Sequence, residues 1–259
     1  MFKELIEAFD AIGQYCHFKC GDGQPFYPTE VYSEGTMLKL VVAKLQEVAT
    51  ESIIGDKIIR EIANAAKCGW MCEGRMRSAF KNEGATRADA IVGNLAVQSG
   101  TRWRMTLSTQ KPTEVRCYVL EAKMGSGLSS DTKATHGKDG FNQAARNIAC
   151  IAAAACEAKV TRDIFDGRFY VIAPKKNDNC ASIKDLISVS PKIIEREIDK
   201  KDPRHLFRQE FEKKDFMDFV NSIATNSCLL YWDDIIGAIP DNGQKLFEFY
   251  GKCKTLIAK

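Results

Sequence analysis

The sequence predicts an α/β protein, because helical and strand-like patterns alternate along its 259 residues. Helical periodicity dominates the first quarter, short runs of β-branched and aromatic residues occupy the middle, and helical patterns return later. The only candidate linker, residues 175–179, is short, so we expect one domain over residues 1–259. Its core should lie at about 28–175, with a mainly helical extension at 176–259 packed on it.

The first helix is predicted from Glu34 to Thr50, where apolar residues recur at intervals of three and four. Pro28 marks the approach to this helix, and Ser33 or Thr29 is available as its cap. A second apolar stripe follows almost at once, at Ile54, Ile58, Ile59 and Ile62.

Three short runs in the middle of the chain are rich in β-branched and aromatic residues and are separated by turn-forming residues. They predict a three-stranded meander over Ala88–Val97, Trp103–Ser108 and Val115–Met124. The glycines at 125 and 127 end the third strand in a loop that stays polar as far as Gly140.

Alanine, the best helix former, dominates the next stretch and predicts a long helix from Phe141 to Val160. An apolar run from Arg168 to Ala173, closed by a proline, predicts a fourth strand beside the meander. The remaining patterns predict helices at Pro191–Lys200, Arg204–Ala224 and Gln244–Leu256, and a strand at Ser227–Trp232.

Composition and charge narrow the function classes. The longest apolar stretch, Ile148–Cys156, is far shorter than the roughly 20 residues that cross a bilayer, so we expect a cytoplasmic protein with no membrane partner. The net charge of +3 and the pI near 8.3 fall short of a strongly basic nucleic-acid binder. Between Thr101 and Arg146, however, eight Lys or Arg outnumber four Asp or Glu. An ordinary solvated surface explains so mild an excess as readily as a binding surface does.

Ten cysteines in a chain of this size, without an export signal, predict that most are reduced thiols and that many of them are buried. Cys16-His17 with Cys20, and Cys68 with Cys72, have spacings that could ligate zinc, which would suit a zinc-stabilised interaction protein. Structural zinc ribbons usually place two residues between paired cysteines, and here there are three. Buried free thiols are therefore the expectation.

Charged residues close the third predicted strand. Residues two apart in a strand point to the same side, so Glu121 and Lys123 emerge on one face. Upstream, Asp89 begins another apolar strand of the same predicted sheet. Two carboxylates from neighbouring strands form a hard oxygen site suited to Mg²⁺ or Mn²⁺. A lysine beside them can orient a water, hold a phosphate or stabilise developing negative charge.

The order Asp89, then Glu121-Ala122-Lys123, then a helix opening with Phe141-Asn142-Gln143-Ala144-Ala145-Arg146 resembles the PD-(D/E)xK, or restriction-endonuclease-like, nuclease superfamily. The similarity lies chiefly between residues 87 and 146, about a quarter of the chain. Ala88 stands where the family name expects proline. Members of the superfamily vary at that position, and proline there shapes the backbone without supplying a ligand.

The resemblance implies a restriction-endonuclease-like core, in which a central mixed sheet is flanked by helices, here with additional carboxyl-terminal helices. It implies Mg²⁺ or Mn²⁺ as cofactor, held by Asp89 and Glu121 with the carbonyl of Ala122. It also implies that Lys123 assists the attacking water and that Gln143 lies beside the site on the following helix.

Further residues are candidates for the same centre or for its substrate. An acid from the first helix often contributes to catalysis and metal binding in this superfamily, and Glu34 matches that role best, with Glu30 and Glu73 as rivals. The nucleic-acid contacts are expected from Lys133, His136, Lys138 and Arg146. A solvated loop position is the alternative for His136, and an ion pair with an acid of the sheet is an equal alternative for Arg146.

The sequence therefore predicts a Mg²⁺- or Mn²⁺-dependent phosphodiesterase, endonuclease or exonuclease, that hydrolyses nucleic acid, most of all DNA, with a metal-activated water. The alternative is a nuclease-like fold used as a nucleic-acid-binding or assembly module without turnover. Intact Asp89, Glu121 and Lys123 argue against that alternative. Cutting both strands of a duplex needs two active sites, which makes a homodimer attractive.

Overall fold

A computed structural model describes residues 32–49, 55–81, 83, 86–98, 104–109, 113–128, 141–200, 206–240 and 243–257. In chain order the elements are α1 (Glu34–Val48), α2 (Lys57–Cys68), β1 (Trp70–Met76), β2 (Thr86–Gly93), β3 (Leu95–Gln98), β4 (Arg104–Leu107), β5 (Val115–Ala122), α3 (Gln143–Glu157), β6 (Phe165–Ala173), α4 (Cys180–Asp199), α5 (Lys213–Thr225), β7 (Cys228–Tyr231), α6 (Trp232–Gly237) and α7 (Gly243–Ile257). The predicted α/β class is confirmed.

The central sheet has five strands in the order β1-β2-β5-β6-β7. β1 and β5 both run antiparallel to β2, whereas β5, β6 and β7 run parallel to one another. Parallel neighbours need a crossover, and α3 supplies it between β5 and β6, as α4 and α5 do between β6 and β7. The predicted mixed sheet is confirmed. Because β7 belongs to it, the sheet is not complete within residues 28–175.

Helices cover both faces of this sheet. Successive residues of a strand point to opposite faces. Val119 of β5 packs in the core formed with α3, α4 and α5, whereas Leu120 packs in the core formed with α1, α2, α6 and α7. By the same alternation Glu121 and Lys123 lie on the face of Val119, toward α3. The predicted flanking helices are thus confirmed. Glu121 and Lys123 lie in the layer between the sheet and α3.

Side-chain caps fix where two of the helices begin. The Ser33 hydroxyl accepts a hydrogen bond from a backbone N–H of the first turn of α1 at 3.1 Å, so the predicted Ser33 cap is confirmed. Asn142 caps α3 in the same way at 2.8 Å. These caps set the first helical residues, Glu34 and Gln143, whose side chains both reach the carboxyl end of β5.

The predicted three-stranded meander is wrong. β2 pairs directly with β5, and the intervening β3 and β4 form a separate two-stranded antiparallel sheet. The expected strand Ala88–Val97 is broken at Gly93, which has a φ of 140° and lies so close to the carbonyl of Arg116 that a Cβ would stand 2.1 Å from that oxygen. Only glycine fits there, and the chain leaves the central sheet at that residue.

Three further expectations need correction. β1 was not expected, because its sequence, with Glu73 and Gly74 at its centre, lacks the pattern of a strand. α4 begins at Cys180 and contains Pro191, which the sequence suggested as a helix start. α5 begins only at Lys213. Residues 206–212 form a non-helical segment that contains a turn instead, and Phe207 pairs with Phe80 in an isolated β-bridge. In the described ranges, no helix is long and apolar enough to cross a membrane.

Candidate metal centre

The pairing of β2 with β5 ends where the candidate site begins. Its last pair is Ala90 opposite Leu120, and the same register would place Asp89 opposite Glu121. Instead, the Asp89 Oδ2 accepts a hydrogen bond from the backbone N–H of Ala122 at 2.8 Å. A side-chain carboxylate occupies the place of a strand carbonyl, so the ladder stops and two acidic side chains meet at its end.

The pairing of β1 with β2 is also interrupted at this level. Cys72 pairs with Ala90 and Gly74 pairs with Ala88, but no pair forms between them. The residue opposite Asp89 is Glu73, whose φ of 53° is uncommon for a residue with a side chain. The Glu73 side chain is exposed, unlike the buried Glu121, so this rival acid does not share the burial of the centre.

Glu121 is the focus of the site, and it is only 2% exposed. Its Oε1 accepts hydrogen bonds from the Lys123 Nζ, at 2.9 Å, and from the Gln143 Nε2. Its Oε2 is buried and has no hydrogen-bond partner among the described residues. Leaving a buried acceptor unsatisfied costs about 1–3 kcal/mol, and more if it is charged. A bound cation would satisfy that oxygen.

Burial raises the affinity of both carboxylates for a proton. Burial raises the pKa of Glu121 to about 7, and the neighbouring charge of Asp89 adds to the effect while Lys123 opposes it. Burial likewise raises the pKa of Asp89, against the Ala122 N–H and Lys123. Without a cation, the centre therefore binds protons more tightly than exposed carboxylates do.

Lys123 keeps its own proton. Burial alone would lower its pKa, but the carboxylates of Glu121, Glu34 and Asp89 hold the pKa above its usual value. Lys39, a half-buried residue of α1, is a second cation whose charge lowers the pKa of Asp89. Sequence reasoning missed Lys39, because nothing in the helical pattern of α1 indicates which strand residue it faces.

Glu34 reaches the same strand end by a backbone contact. Its Oε2 accepts a hydrogen bond from the Met124 N–H at 3.0 Å, and burial raises its pKa. From the other side, the indole N–H of Trp232 donates to the carbonyl of Lys123 at 3.0 Å. Trp232 was not among the expected residues. Trp232 and Lys123 are 109 positions apart in the chain, and no local sequence pattern indicates a contact over that separation.

Two carboxylates are available for a metal ion. Among the described residues, no three His, Cys, Asp or Glu side chains are grouped so that they could hold one ion, so Glu34 does not complete a triad with Asp89 and Glu121. A strand residue directs its N–H and C=O to the same edge, and the carbonyl of Ala122 therefore points to the side of Asp89. Mg²⁺ keeps several waters and is usually bound by one or two carboxylates. This donor set fits a hydrated divalent ion.

The alternative zinc site finds no support in the described part of the chain. Every cysteine there is a free thiol, including exposed Cys68 and half-buried Cys72, and no metal-holding group includes them. The other proposed ligands, Cys16, His17 and Cys20, lie outside the described residues. The expectation of reduced thiols is consistent with the cysteines that the structure describes.

Of the four residues expected to contact nucleic acid, only Arg146 lies in the described part of the structure. Arg146 pairs through its Nε with the Glu83 carboxylate at 3.1 Å, and that carboxylate is 1% exposed. The ion pair considered for Arg146 is thus present, although with an acid between β1 and β2. Lys133, His136 and Lys138 lie outside the described residues, as does Glu30. Their predicted roles stay predictions.

A surface hollow of about 600 Å³ lies away from this centre, between α4, α5 and β7. It contains none of the charged groups that meet at Glu121. No protein-family model, curated protein or solved structure matches the chain. The interpretation of the centre therefore rests on its own residues and their geometry.

Proposed function

We propose that the chain is a metal-dependent nuclease with a PD-(D/E)xK centre on a restriction-endonuclease-like core, which hydrolyses phosphodiester bonds of nucleic acid, most of all DNA. One observation carries the proposal. Asp89, Lys123 and Gln143 converge on the buried Glu121, whose Oε2 has no hydrogen-bond partner within the described residues. Most buried polar atoms have a hydrogen-bond partner, so a buried carboxylate oxygen without one, beside a second carboxylate, is a candidate ligand for a cation.

Asp89 and Glu121 would hold the ion, with the carbonyl of Ala122 as a third donor. When bound, a divalent ion supplies positive charge for the phosphate and a more acidic water. Gln143 and Lys123 both bind Oε1 of Glu121, which fixes the carboxylate and leaves Oε2 for the ion. The burial of this cluster excludes bulk water and strengthens each of these interactions.

Lys123 acts as a cation. Before an ion binds, the neighbouring carboxylates hold its pKa above the usual value, so its Nζ carries a proton at neutral pH and is not a base. A protonated amine beside the scissile phosphate can instead orient the water and balance the charge that develops on the phosphate oxygens. We therefore propose that Lys123 orients the attacking water and does not deprotonate it.

The proposal is tested by cleavage. Supercoiled plasmid, linear duplex, single strands and RNA are incubated with the protein in EDTA, Mg²⁺ or Mn²⁺. We expect metal-dependent cleavage that is abolished by EDTA. We expect it to fall by several orders of magnitude in Glu121→Gln and Lys123→Met, because each removes transition-state stabilisation of several kcal/mol.

Lys67→Met is the matched control, since Lys67 is exposed at the end of α2, where it lines a hollow with Arg116 near the opposite end of β5. Wild-type rates in both centre variants would show that Glu121 and Lys123 are not catalytic. Nucleic-acid binding without cleavage in any metal would instead favour the assembly-module alternative. A homodimer and a cytoplasmic location stay predictions, and sedimentation with and without duplex tests the first of them.

A further inference from the structure

One peptide group beyond the end of β5 is held from both sides. The Lys123 carbonyl accepts from the Trp232 indole at 3.0 Å, and the Met124 N–H donates to the Glu34 carboxylate at 3.0 Å. These two atoms belong to the same peptide unit, which is planar. Partners on opposite edges of a plane fix its rotation about the chain, so Trp232 and Glu34 together set the orientation of this peptide.

In the described structure, the orientation of this peptide is not set by pairing with a neighbouring strand. The N–H of Lys123 still donates to the carbonyl of Ile172 on β6, at 2.8 Å, but β5 ends at Ala122. The next peptide, between Lys123 and Met124, depends on side chains from α1 and α6. The Cα of Lys123 lies between the 122–123 peptide, which binds β6, and the 123–124 peptide, which binds side chains. The orientation of the 123–124 peptide therefore helps to set the direction of the Lys123 side chain.

The indole is itself fixed. Trp232 is fully buried, and its ring lies 6.2 Å from that of Tyr250 between centroids. An indole N–H is a donor only, and a buried one must find an acceptor. The carbonyl of Lys123 supplies that acceptor, so the contact is not interchangeable with a solvent bond. Rigid surroundings make Trp232 a firm support for the strand end.

We propose that Trp232 is a positioning residue for Lys123, which holds the 123–124 peptide so that the Lys123 Nζ meets the Glu121 Oε1. The catalytic consequence rests on the proposed nuclease function, whereas the effect on the peptide does not. Displacements of about 1 Å at a catalytic group can cost a hundredfold in rate. Loss of one hydrogen bond at this peptide should cost about tenfold.

The test removes the N–H and keeps the ring. At position 232 the protein carries the tryptophan analogue in which sulfur replaces the indole N–H, which keeps the two fused rings and leaves no cavity. Three quantities are measured: the amide hydrogen exchange of Met124, kcat and KM for duplex cleavage in Mn²⁺, and the melting temperature. Ile62→Val is the control, because it loosens the same buried layer from α2 and removes no hydrogen-bonding atom.

We expect the analogue to speed Met124 exchange about tenfold and to lower kcat about tenfold with KM nearly unchanged. Ile62→Val should leave both quantities at their wild-type values. A wild type that cleaves nucleic acid, while the analogue leaves kcat and Met124 exchange unaltered, defeats the role of Trp232 alone. A wild type that cleaves nothing defeats the nuclease assignment, and the catalytic role of Trp232 with it.

Discussion

At the scale of single residues, Glu121 is a buried carboxylate whose two oxygens differ in their hydrogen bonding. Its carboxylate is 2% exposed, one oxygen accepts two hydrogen bonds, and the other has no partner within the described residues. Burial and the charge of Asp89 raise its pKa to about 7. The protein without metal therefore has a group that takes up a proton on folding, and this links stability to pH.

The first prediction follows from that linkage. The folded pKa of Glu121 exceeds its usual value of 4.5, so its contribution to stability is full below pH 4.5 and is lost as pH rises through about 7. We expect the wild-type melting temperature in EDTA to fall between pH 5 and pH 8 relative to Glu121→Gln. The difference should reach a few kcal/mol in the free energy of unfolding. Equal pH profiles for the two proteins would show that Glu121 is not protonated near neutrality.

The second prediction concerns Asp89 as a ligand. Asp89→Asn keeps an oxygen for the Ala122 N–H but removes one of two neighbouring negative charges. At pH 8 in EDTA we expect this variant to melt at or above the wild-type temperature. Added Mn²⁺ should raise the wild-type melting temperature with the logarithm of its concentration, and should barely move the variant.

Ca²⁺ should raise the wild-type melting temperature as Mn²⁺ does, because the ligands are hard oxygens, whether or not it supports cleavage. Thermal scans across a metal titration measure all three effects. If the wild type shows no shift with any divalent ion, or if Asp89→Asn shifts as much, Asp89 is not a ligand.

At this scale the sequence was informative about residues close together in the chain. The two-residue spacing of Glu121 and Lys123 predicts a shared face, and the structure joins them by a salt bridge. The helix opening at Gln143 was expected beside the site, and its side chain binds Glu121. Lys39 and Trp232 were not identified from the sequence, because their contacts depend on how α1 and α6 pack. Helix packing produces no fixed spacing in the sequence that would indicate such contacts.

At the scale of elements, the centre forms where three chain segments end or begin together. β5 ends at Ala122, α1 begins at Glu34, and α3 begins at Gln143. Helix starts have free N–H groups and favour acidic neighbours, so a carboxylate-rich strand end is stabilised there. Glu34 serves this junction by binding the Met124 N–H.

The third prediction separates two roles of Glu34. Glu34→Gln keeps an oxygen that can accept from the Met124 N–H, whereas Glu34→Ala removes it. We expect Glu34→Gln to retain about tenfold more cleavage activity than Glu34→Ala, since one hydrogen bond is worth about 1 kcal/mol. Initial rates on one duplex measure the ratio, and the Mn²⁺-induced melting shift of each variant is the companion measurement. Equal rates for the two variants, together with a lost Mn²⁺ shift, would assign Glu34 to the metal instead.

The elements that the sequence predicted well are those with a strong local pattern, namely the helical periodicity of α1, the alanine content of α3 and the apolar runs of β5 and β6. Those it missed depend on tertiary contacts. β1 becomes a strand because β2 offers it a partner, and the β3–β4 sheet exists because Gly93 turns the chain away. Residues 206–212 lie outside α5, and Phe207 within them joins an aromatic group with Phe80, Phe211 and Phe216.

At the scale of the whole molecule, much of the positive charge between residues 101 and 146 is already paired. Arg104 binds Glu157 at 2.9 Å, and Arg146 binds Glu83. Charges held by ion pairs neutralise fewer phosphates than free ones. The described part of the basic segment is therefore less available to nucleic acid than its composition suggests, and Lys133 and Lys138, which lie outside the described residues, stay predicted contacts.

The fourth prediction tests that distribution of charge. Binding to a short duplex is measured in EDTA over a range of salt concentrations. Each neutralised phosphate adds about 0.9 to the slope of log affinity against log salt. We expect Lys133→Glu with Lys138→Glu to lower the slope by about 2, irrespective of DNA sequence, and Lys67→Glu to leave it unchanged. An unaltered slope in the double variant would remove both lysines from the binding surface.

The contact between Trp232 and Lys123 also has a consequence for the order in which the chain is synthesised. The ribosome adds roughly 5–20 residues per second, so the 109 positions between the two residues take roughly 5–20 s to synthesise. During that interval every nascent chain already contains Glu121 and Lys123, yet the tryptophan that holds their strand end has not been translated. A premature stop codon between Arg146 and Trp232 would release a product that keeps Asp89, Glu121, Lys123 and Gln143 but lacks the indole that binds the Lys123 carbonyl.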